Sequence, residues 1–249
     1  MTNTEKARAL RILCWSGPRN ISTAMMRSWE ARGDTAVCDE PLYAHYLLEH
    51  GLDHPGREEI LAHHESDAEK VVEWLTGPVP GGKPIWYQKQ MSHHLLPDVP
   101  RYWLDRDDVR HMFLIREPRE MLTSLMQVLP EPRLEDTGLP QQVEIHRRML
   151  RRGHRPPIVD TVDVLGDPEA ILSAVCEALD VEYVPSMLAW EPGRRVTDGV
   201  WAEHWYDAVE RSTGFQKYEP KGIPVPERLR GVLAEAEPLY QELAAERLR

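Results

Sequence analysis

The sequence has no apolar run of 18 residues, and residues 1–9 are polar where a charged leader would precede an apolar stretch. Neither a membrane span nor an export signal is expected, and the protein is expected to be soluble and cytoplasmic. Cysteine is scarce: Cys14, Cys38 and Cys176 are odd in number, far apart, set among apolar neighbours, and in no C-x-x-C pair. That excludes a disulfide framework and leaves free buried thiols. Eleven histidines occur, but none falls in an H-E-x-x-H or Cys/His spacing, so no metal site is expected. His45, His63 and His64 are read as structural or solvated. Positive charge is also short, with 30 Lys and Arg against 41 Asp and Glu and a net charge of −11. A nucleic-acid scaffold needs basic surface to displace counterions from phosphates, so that class is excluded, and cations that bind a small anion must be local. Internal repeats and low-complexity tracts are absent.

What is present is a chain of 249 residues, 41% of them hydrophobic, enough for one large domain over 1–249. Apolar stretches of strand length at 11–15, 35–38, 84–88, 109–115 and 158–160 alternate with helical patterns at 20–32, 41–50, 57–75, 118–128, 141–152 and 167–179. Gly33 is placed to end the first helix in a left-handed cap. This alternation predicts βαβ units and an α/β fold: a three-layer, P-loop NTPase-like domain with a central parallel sheet flanked by helices. From 185 to 226 the pattern breaks into Pro, Gly, Trp and charged residues, which reads as an irregular, lid-like segment before a last helix over 227–248.

The most informative segment is Ile12-Leu-Cys-Trp-Ser-Gly-Pro-Arg-Asn-Ile-Ser-Thr23. An apolar strand, a glycine-containing turn and hydroxyl residues opening a helix bring backbone N–H groups and the positive helix end onto one anion. Arg19 adds a permanent charge. The ATP-type pattern G-x-x-x-x-G-K-[ST] is not met, because Ser22 takes the place of its second glycine and no lysine follows. Alone, the segment also fits a plain capped strand-to-helix turn.

Pro18-Arg-Asn-Ile-Ser-Thr23 resembles the 5′-phosphosulfate loop of the sulfotransferases, which reads Pro-Lys-Ser-Gly-Thr-Thr. Arg19 takes the lysine place, Ser22 and Thr23 the threonine places, and Ile21 departs from the family's glycine, which puts the loop path there in question. The resemblance implies donor contacts from Gly17, Pro18, Arg19, Asn20, Ser22 and Thr23. Arg116 and Ser124 repeat the family's Arg and Ser, eight residues apart after an apolar strand, that hold the donor's 3′-phosphate. A segment over 159–180 is similar to the family's strand, turn and Asp-Pro-initiated helix, with Thr161 where an adenine-contacting tyrosine is expected and Trp15 as one candidate substitute. A segment over 193–204 resembles the loop that closes over the 3′-phosphate, which implies Arg194, Arg195, Gly199 and Trp201. The closer likeness is to a bacterial sulfotransferase-like branch with an Asp-Glu-Pro-Leu-Tyr phrase after strand two. The implied co-substrate is 3′-phosphoadenosine 5′-phosphosulfate, with no metal.

Two clusters are candidates for the transfer chemistry. Asp39-Glu40-Pro41 and Lys89-Gln-Met-Ser-His-His94 both follow strands, at the carboxyl edge where a site in an open α/β sheet belongs. The second resembles the family's Lys-Thr-His segment, with Met91 at the histidine place, so His93 or His94 would have to reach in from a shifted position. Glu40 is placed ahead of His94 and His93 as the base, since several branches of the family use a glutamate from this region. The alternative is that Glu40 sits in the first turn of a helix, favoured by its dipole. Arg19 and Lys89 are the expected cations on the leaving oxygen. The expected reaction is sulfuryl transfer to a hydroxyl or amine of a small-molecule acceptor, with no nucleic-acid or membrane partner and with room for a homodimer. The alternatives are a P-loop kinase acting on a small metabolite, which needs a lysine and a Mg²⁺ site, and a non-catalytic nucleotide-binding module. Tyr43, Tyr46, Trp86, Trp103, Trp201 and Trp205 are candidate lining residues of an acceptor pocket or members of the core.

Overall fold

The computed structural model describes residues 9–51, 55–220 and 222–249; most of the polar stretch 1–9, and Lys221 in the 185–226 segment, lie outside the described residues. The strands are β1 (Leu10–Ser16), β2 (Thr35–Asp39), β3 (Ile85–Met91), β4 (Val109–Ile115) and β5 (Ile158–Asp160), paired in parallel in the order β2-β3-β1-β4-β5. Between and after them come α1 (Ser22–Glu30), α2 (Tyr43–His50), α3 (Arg57–His63), α4 (Ala68–Thr76), α5 (Pro118–Leu125), α6 (Leu139–Arg151), α7 (Thr161–Gly166), α8 (Pro168–Ala178), α9 (Ala202–Trp205), α10 (Asp207–Glu210) and α11 (Arg230–Ala244).

Strand β1 shows why the sheet is central. Ile12 and Cys14 point to a cluster with Met25, Met26 and Trp29 of α1 and Val175 of α8, while Leu13 and Trp15 point to another with Val72 of α4, Leu122 of α5, Ile145 of α6 and Leu233 of α11. Side chains that alternate between two apolar layers need a near-continuous hydrophobic run, which is what the strand carries. Trp15 is wholly buried and donates from Nε1 to His111 at 2.9 Å, so it belongs to this core and not to an adenine pocket. The three thiols are buried and free, and burial pushes Cys14 up to about 12. Among the described residues no helix is long and apolar enough to cross a membrane.

Two expectations are corrected. The helix expected over 57–75 is two, because His64 is extended (φ −121°, ψ 146°) and Asp67 opens a new helix by accepting from the N–H groups of Glu69 and Lys70. The two halves bury different faces: Ile60 joins an aromatic cluster with Tyr43, Tyr46 and Trp201, whereas Val71, Val72 and Leu75 join the sheet core. The segment over 185–226 is not a loose lid in its middle, where α9 and α10 lie and where Trp201 (1% exposed) and Tyr206 (5%) are packed inward. Boundaries shift elsewhere. The first helix begins at Ser22 and not at Asn20, and the last begins at Arg230, after which the Leu248 N–H donates to the Ile158 carbonyl on β5. Gly33, at φ 81°, takes the left-handed conformation expected of it.

Candidate active site

The carboxyl ends of β1, β2, β3 and β4 deliver the chemistry-bearing residues to one edge, around the point where the strand order reverses at β1. Close backbone approach makes this possible. A Cβ on Gly17 would stand 2.5 Å from the Thr137 carbonyl oxygen, and one on Gly138 would meet Ser92 at 3.0 Å and the Gly17 Cα at 3.4 Å. Three loops therefore meet where only glycine fits.

The loop after β1 is pinned from below. Asn20 donates from Nδ2 to the Leu114 carbonyl at 3.1 Å, and its Oδ1 meets the Thr161 hydroxyl, which also reaches the Ile115 carbonyl at 3.1 Å. Thr161, in the place of the expected tyrosine, thus serves the loop. Ile21 is tolerated in the family's glycine place because its backbone is ordinary (φ −90°, ψ 24°). The left-handed residue is instead Arg19, at φ 56°. Such a conformation costs a non-glycine residue about 1–3 kcal/mol and persists where surrounding contacts impose it. Here Arg19 Nε donates to Ser124 Oγ at 3.1 Å, and an Arg116 guanidinium nitrogen donates to the Arg19 carbonyl. Partial burial, and then the like charge of Arg116, hold the Arg19 pKa below its ordinary value. The Arg116 Nε is buried without a hydrogen-bond partner, while a terminal nitrogen lies 3.3 Å from Glu120. Residues 105 apart in sequence therefore converge as two guanidiniums and a hydroxyl.

The second cluster lies at the ends of β2 and β3. Lys89 is 1% exposed; its ammonium meets Asp39 at 2.9 Å, Glu40 at 2.8 Å and the Thr23 hydroxyl at 3.0 Å, with the Tyr206 hydroxyl at 2.5 Å. Glu40 lies ahead of α2 with φ 41°, so it is not in that helix's first turn. Arg19 and Glu40 are two of the three non-glycine residues with positive φ among the described residues, which sets both apart from ordinary turn residues. Burial raises the Glu40 pKa; Lys89 opposes this and Asp39 adds to it. Lys89 is pushed well above its ordinary value because Asp39 and Glu40 outweigh the effect of burial.

The histidines are less available. His94 is 2% exposed and stacks between Tyr43 and Tyr46, with ring centroids 4.7 Å from each. Burial, with His50 nearby, lowers His93 to about 3, which leaves it neutral and a poor proton acceptor at neutral pH. Of the late-segment candidates, the Gly199 N–H donates to Asp39 at 3.2 Å and Trp201 donates to the Tyr206 hydroxyl at 3.2 Å, so both support the second cluster. Arg195 faces the Glu191 carbonyl and Glu30, and Arg194 is exposed. His45 lies 3.0 Å from the Ser66 carbonyl and 3.2 Å from Asp98. Tyr43, Tyr46, Trp86, Trp103 and Trp201 are all buried. Sequence reasoning left Asp39 without a role and missed Tyr206; the only signal for Asp39 was its place beside Glu40, and Tyr206 had none.

A five-stranded parallel sheet covered by helices on both faces, with a glycine-containing turn between β1 and α1 and an arginine after β4, defines a P-loop-like α/β fold. The sulfotransferase-domain family profile matches residues 10–247, and the chain belongs to the sulfotransferase family. Two Arabidopsis thaliana proteins, named branched-chain-amino-acid aminotransferase-like proteins 2 and 1, are 38% identical over 218 residues and 39% identical over 211. These matches cover 86% and 84% of this chain but only 38% and 37% of those proteins, so the chain spans well under half of their length. The sulfotransferase domain of the Synechococcus PCC 7002 olefin synthase matches with a TM-score of 0.54 at 18% identity, over 98% of both chains. A sulfotransferase from Alicyclobacillus acidocaldarius matches with a TM-score of 0.58 at 12% identity, again over 98% of both. At these identities the likeness is one of fold.

Proposed function

We propose that the protein transfers a sulfuryl group from 3′-phosphoadenosine 5′-phosphosulfate to a hydroxyl or amine of a small-molecule acceptor. The observation that carries this reading is the convergence of Arg19 from the loop after β1, Arg116 from just after β4 and Ser124 from α5. Burial first, and the like charge of Arg116 second, disfavour the charged Arg19, and a bound anion offsets both. The residues fit a doubly anionic nucleotide: the partnerless Arg116 Nε is a donor in search of an acceptor, and Ser124 supplies a hydroxyl beside it.

In the transfer itself, the sulfur–oxygen bond to the donor's phosphate breaks as a bond from sulfur to the acceptor oxygen or nitrogen forms, and the acceptor's proton passes to Glu40. Arg19 stands in the loop where charge builds on the leaving oxygen, so it acts on the transition state more than on the ground state. Lys89, expected on the leaving oxygen, is instead buried against Asp39 and Glu40, so it orients Glu40 and, through Thr23, ties it to the opening of α1. Gly17, Pro18, Asn20 and Ser22 shape the loop that receives the 5′ end of the donor, and the positive end of α1 adds to its affinity.

Calorimetric titration with 3′-phosphoadenosine 5′-phosphate and, separately, with AMP tests this reading. Tighter binding of the 3′-phosphorylated nucleotide is expected, and equal affinity for the two would remove its basis.

A further inference from the structure

The cluster at the ends of β2 and β3 holds two carboxylates against one ammonium, and the two are not equivalent. Asp39 accepts from Lys89 at 2.9 Å, from the Tyr206 hydroxyl at 2.7 Å and from the Gly199 N–H at 3.2 Å, and its side chain is 1% exposed. Glu40 meets Lys89 at 2.8 Å and also contacts the Tyr206 hydroxyl, with 13% of its side chain exposed. The Tyr206 hydroxyl lies 2.7 and 2.9 Å from the two Asp39 oxygens and also bonds to Glu40, so it links the two carboxylates. Three donors thus hold the Asp39 carboxylate in place against Lys89. A second carboxylate on the same ammonium is then less fully compensated, which raises its proton affinity and suits it to accept a proton.

We propose that Asp39 is a positioning residue for sulfuryl transfer: it takes up the charge of Lys89 and so leaves Glu40 as the carboxylate that exchanges a proton at the edge of the sheet. The inference rests on the reading of Glu40 as the base. The groups facing Glu40 are Lys89 from β3, Asp39 from β2, Tyr206 from between α9 and α10, and Tyr43 from α2. Arg27 of α1 and His64, which follows α3, act on Asp39. The shifts agree with this division: Lys89 is held as a cation by both acids, and Glu40 is raised by burial and by Asp39 against the pull of Lys89. Because the Lys89 ammonium is also bonded to Thr23 of the phosphate-type loop, an anion bound there adds to the cost of an ionised Glu40. Nucleotide binding should therefore raise the proton affinity of Glu40 and draw in a fraction of a proton, with the ionised remainder acting as the base.

The test is calorimetry of the full chain with 3′-phosphoadenosine 5′-phosphate, in buffers of different ionisation enthalpy and over a range of pH, which counts protons taken up on binding. Wild type is expected to take up a fraction of a proton, with a maximum at a defined pH, and Glu40→Gln to lose that uptake. Asp39→Asn should move the maximum down by about one pH unit or more, because a like charge beside Glu40 is gone. Tyr206→Phe should move it up, because a hydroxyl donor to the carboxylates is gone while the ring is kept. Opposite shifts in the two variants are not what a merely structural role produces. If Asp39→Asn does not fold, the upward shift in Tyr206→Phe decides the question. Uptake that persists in Glu40→Gln, or a maximum that neither variant moves, would overturn the role given to Asp39. Binding without any proton uptake would overturn it while leaving the nucleotide site intact. Failure of wild type to bind the nucleotide would instead overturn the donor reading, and this inference with it.

Discussion

The two halves of the site are built on opposite principles. Around Arg19, Arg116 and Ser124 the groups are partly open and positive, and one buried donor, the Arg116 Nε, lacks a partner. Around Lys89, Asp39, Glu40 and Tyr206 they are buried and closely paired, with two acids on one cation. The first arrangement leaves capacity for a ligand to complete, and the second stores its capacity in proton affinities that neighbours have shifted. On the proposed reading, the first half receives the anionic donor and the second exchanges the proton that group transfer requires.

If this division holds, the variants separate cleanly. The largest effect on turnover belongs to Glu40→Gln, expected to lower single-turnover transfer by about 10²–10⁴ while nucleotide affinity stays near wild type. The same variant carries a pH signature. A carboxyl whose folded pKa is raised contributes stability below its unfolded value, about 4.3, and loses that contribution as pH rises through the folded value. Glu40→Gln should therefore be more stable than wild type at pH 8, and this advantage should vanish near pH 4; denaturant midpoints at the two values check it. An Glu40→Gln protein less stable at pH 8 would mean that the glutamate is a structural partner of Lys89 alone.

Removing the cation tests the paired half from the other side. Lys89→Met leaves Asp39 and Glu40 buried together without their counter-ion, and a loss of about 3–5 kcal/mol in unfolding free energy is expected. A loss under 1 kcal/mol would show that water reaches the cluster. On the open half, Arg19→Ala should lower transfer by about 10²–10³, as removal of one oxyanion donor does, with Arg19→Lys retaining much of the rate. Arg116→Ala is expected to have the smallest effect, weakening binding of the 3′-phosphorylated nucleotide by about 1.5–3 kcal/mol and that of AMP hardly at all. Comparable losses for both nucleotides would place the 3′-phosphate elsewhere.

The open half was legible in the sequence because its signals are local. A strand, a Gly-Pro-Arg turn and a hydroxyl-led helix occupy one short stretch, and the spacing of Arg116 and Ser124 can be counted. The paired half was legible only in part. Glu40 and Lys89 stand out as charges at the ends of apolar strands, but parallel pairing sets Asp39 beside Lys89 in the sheet, and that register joins segments 50 residues apart. His93 and His94 looked available as neighbours on a loop, yet Tyr43 and Tyr46 of α2 close over them.

By itself the sequence determined the layered parallel fold, since strands buried on both faces must be continuously apolar and must alternate with helices that cover them. It also singled out Arg19, Arg116 and Ser124, but through their resemblance to the sulfotransferase motifs and not through residue type and spacing alone; the fold brings those three residues together. Tertiary structure decided that Arg19 and Glu40 take left-handed backbones, that the supposed lid packs inward, and that Tyr206 reaches Asp39 across 167 positions. Nothing in a linear pattern encodes such a contact. It exists because the buried ammonium and carboxylates need satisfied partners, and packing of the late segment against the sheet edge places a hydroxyl and a backbone N–H where those groups lie.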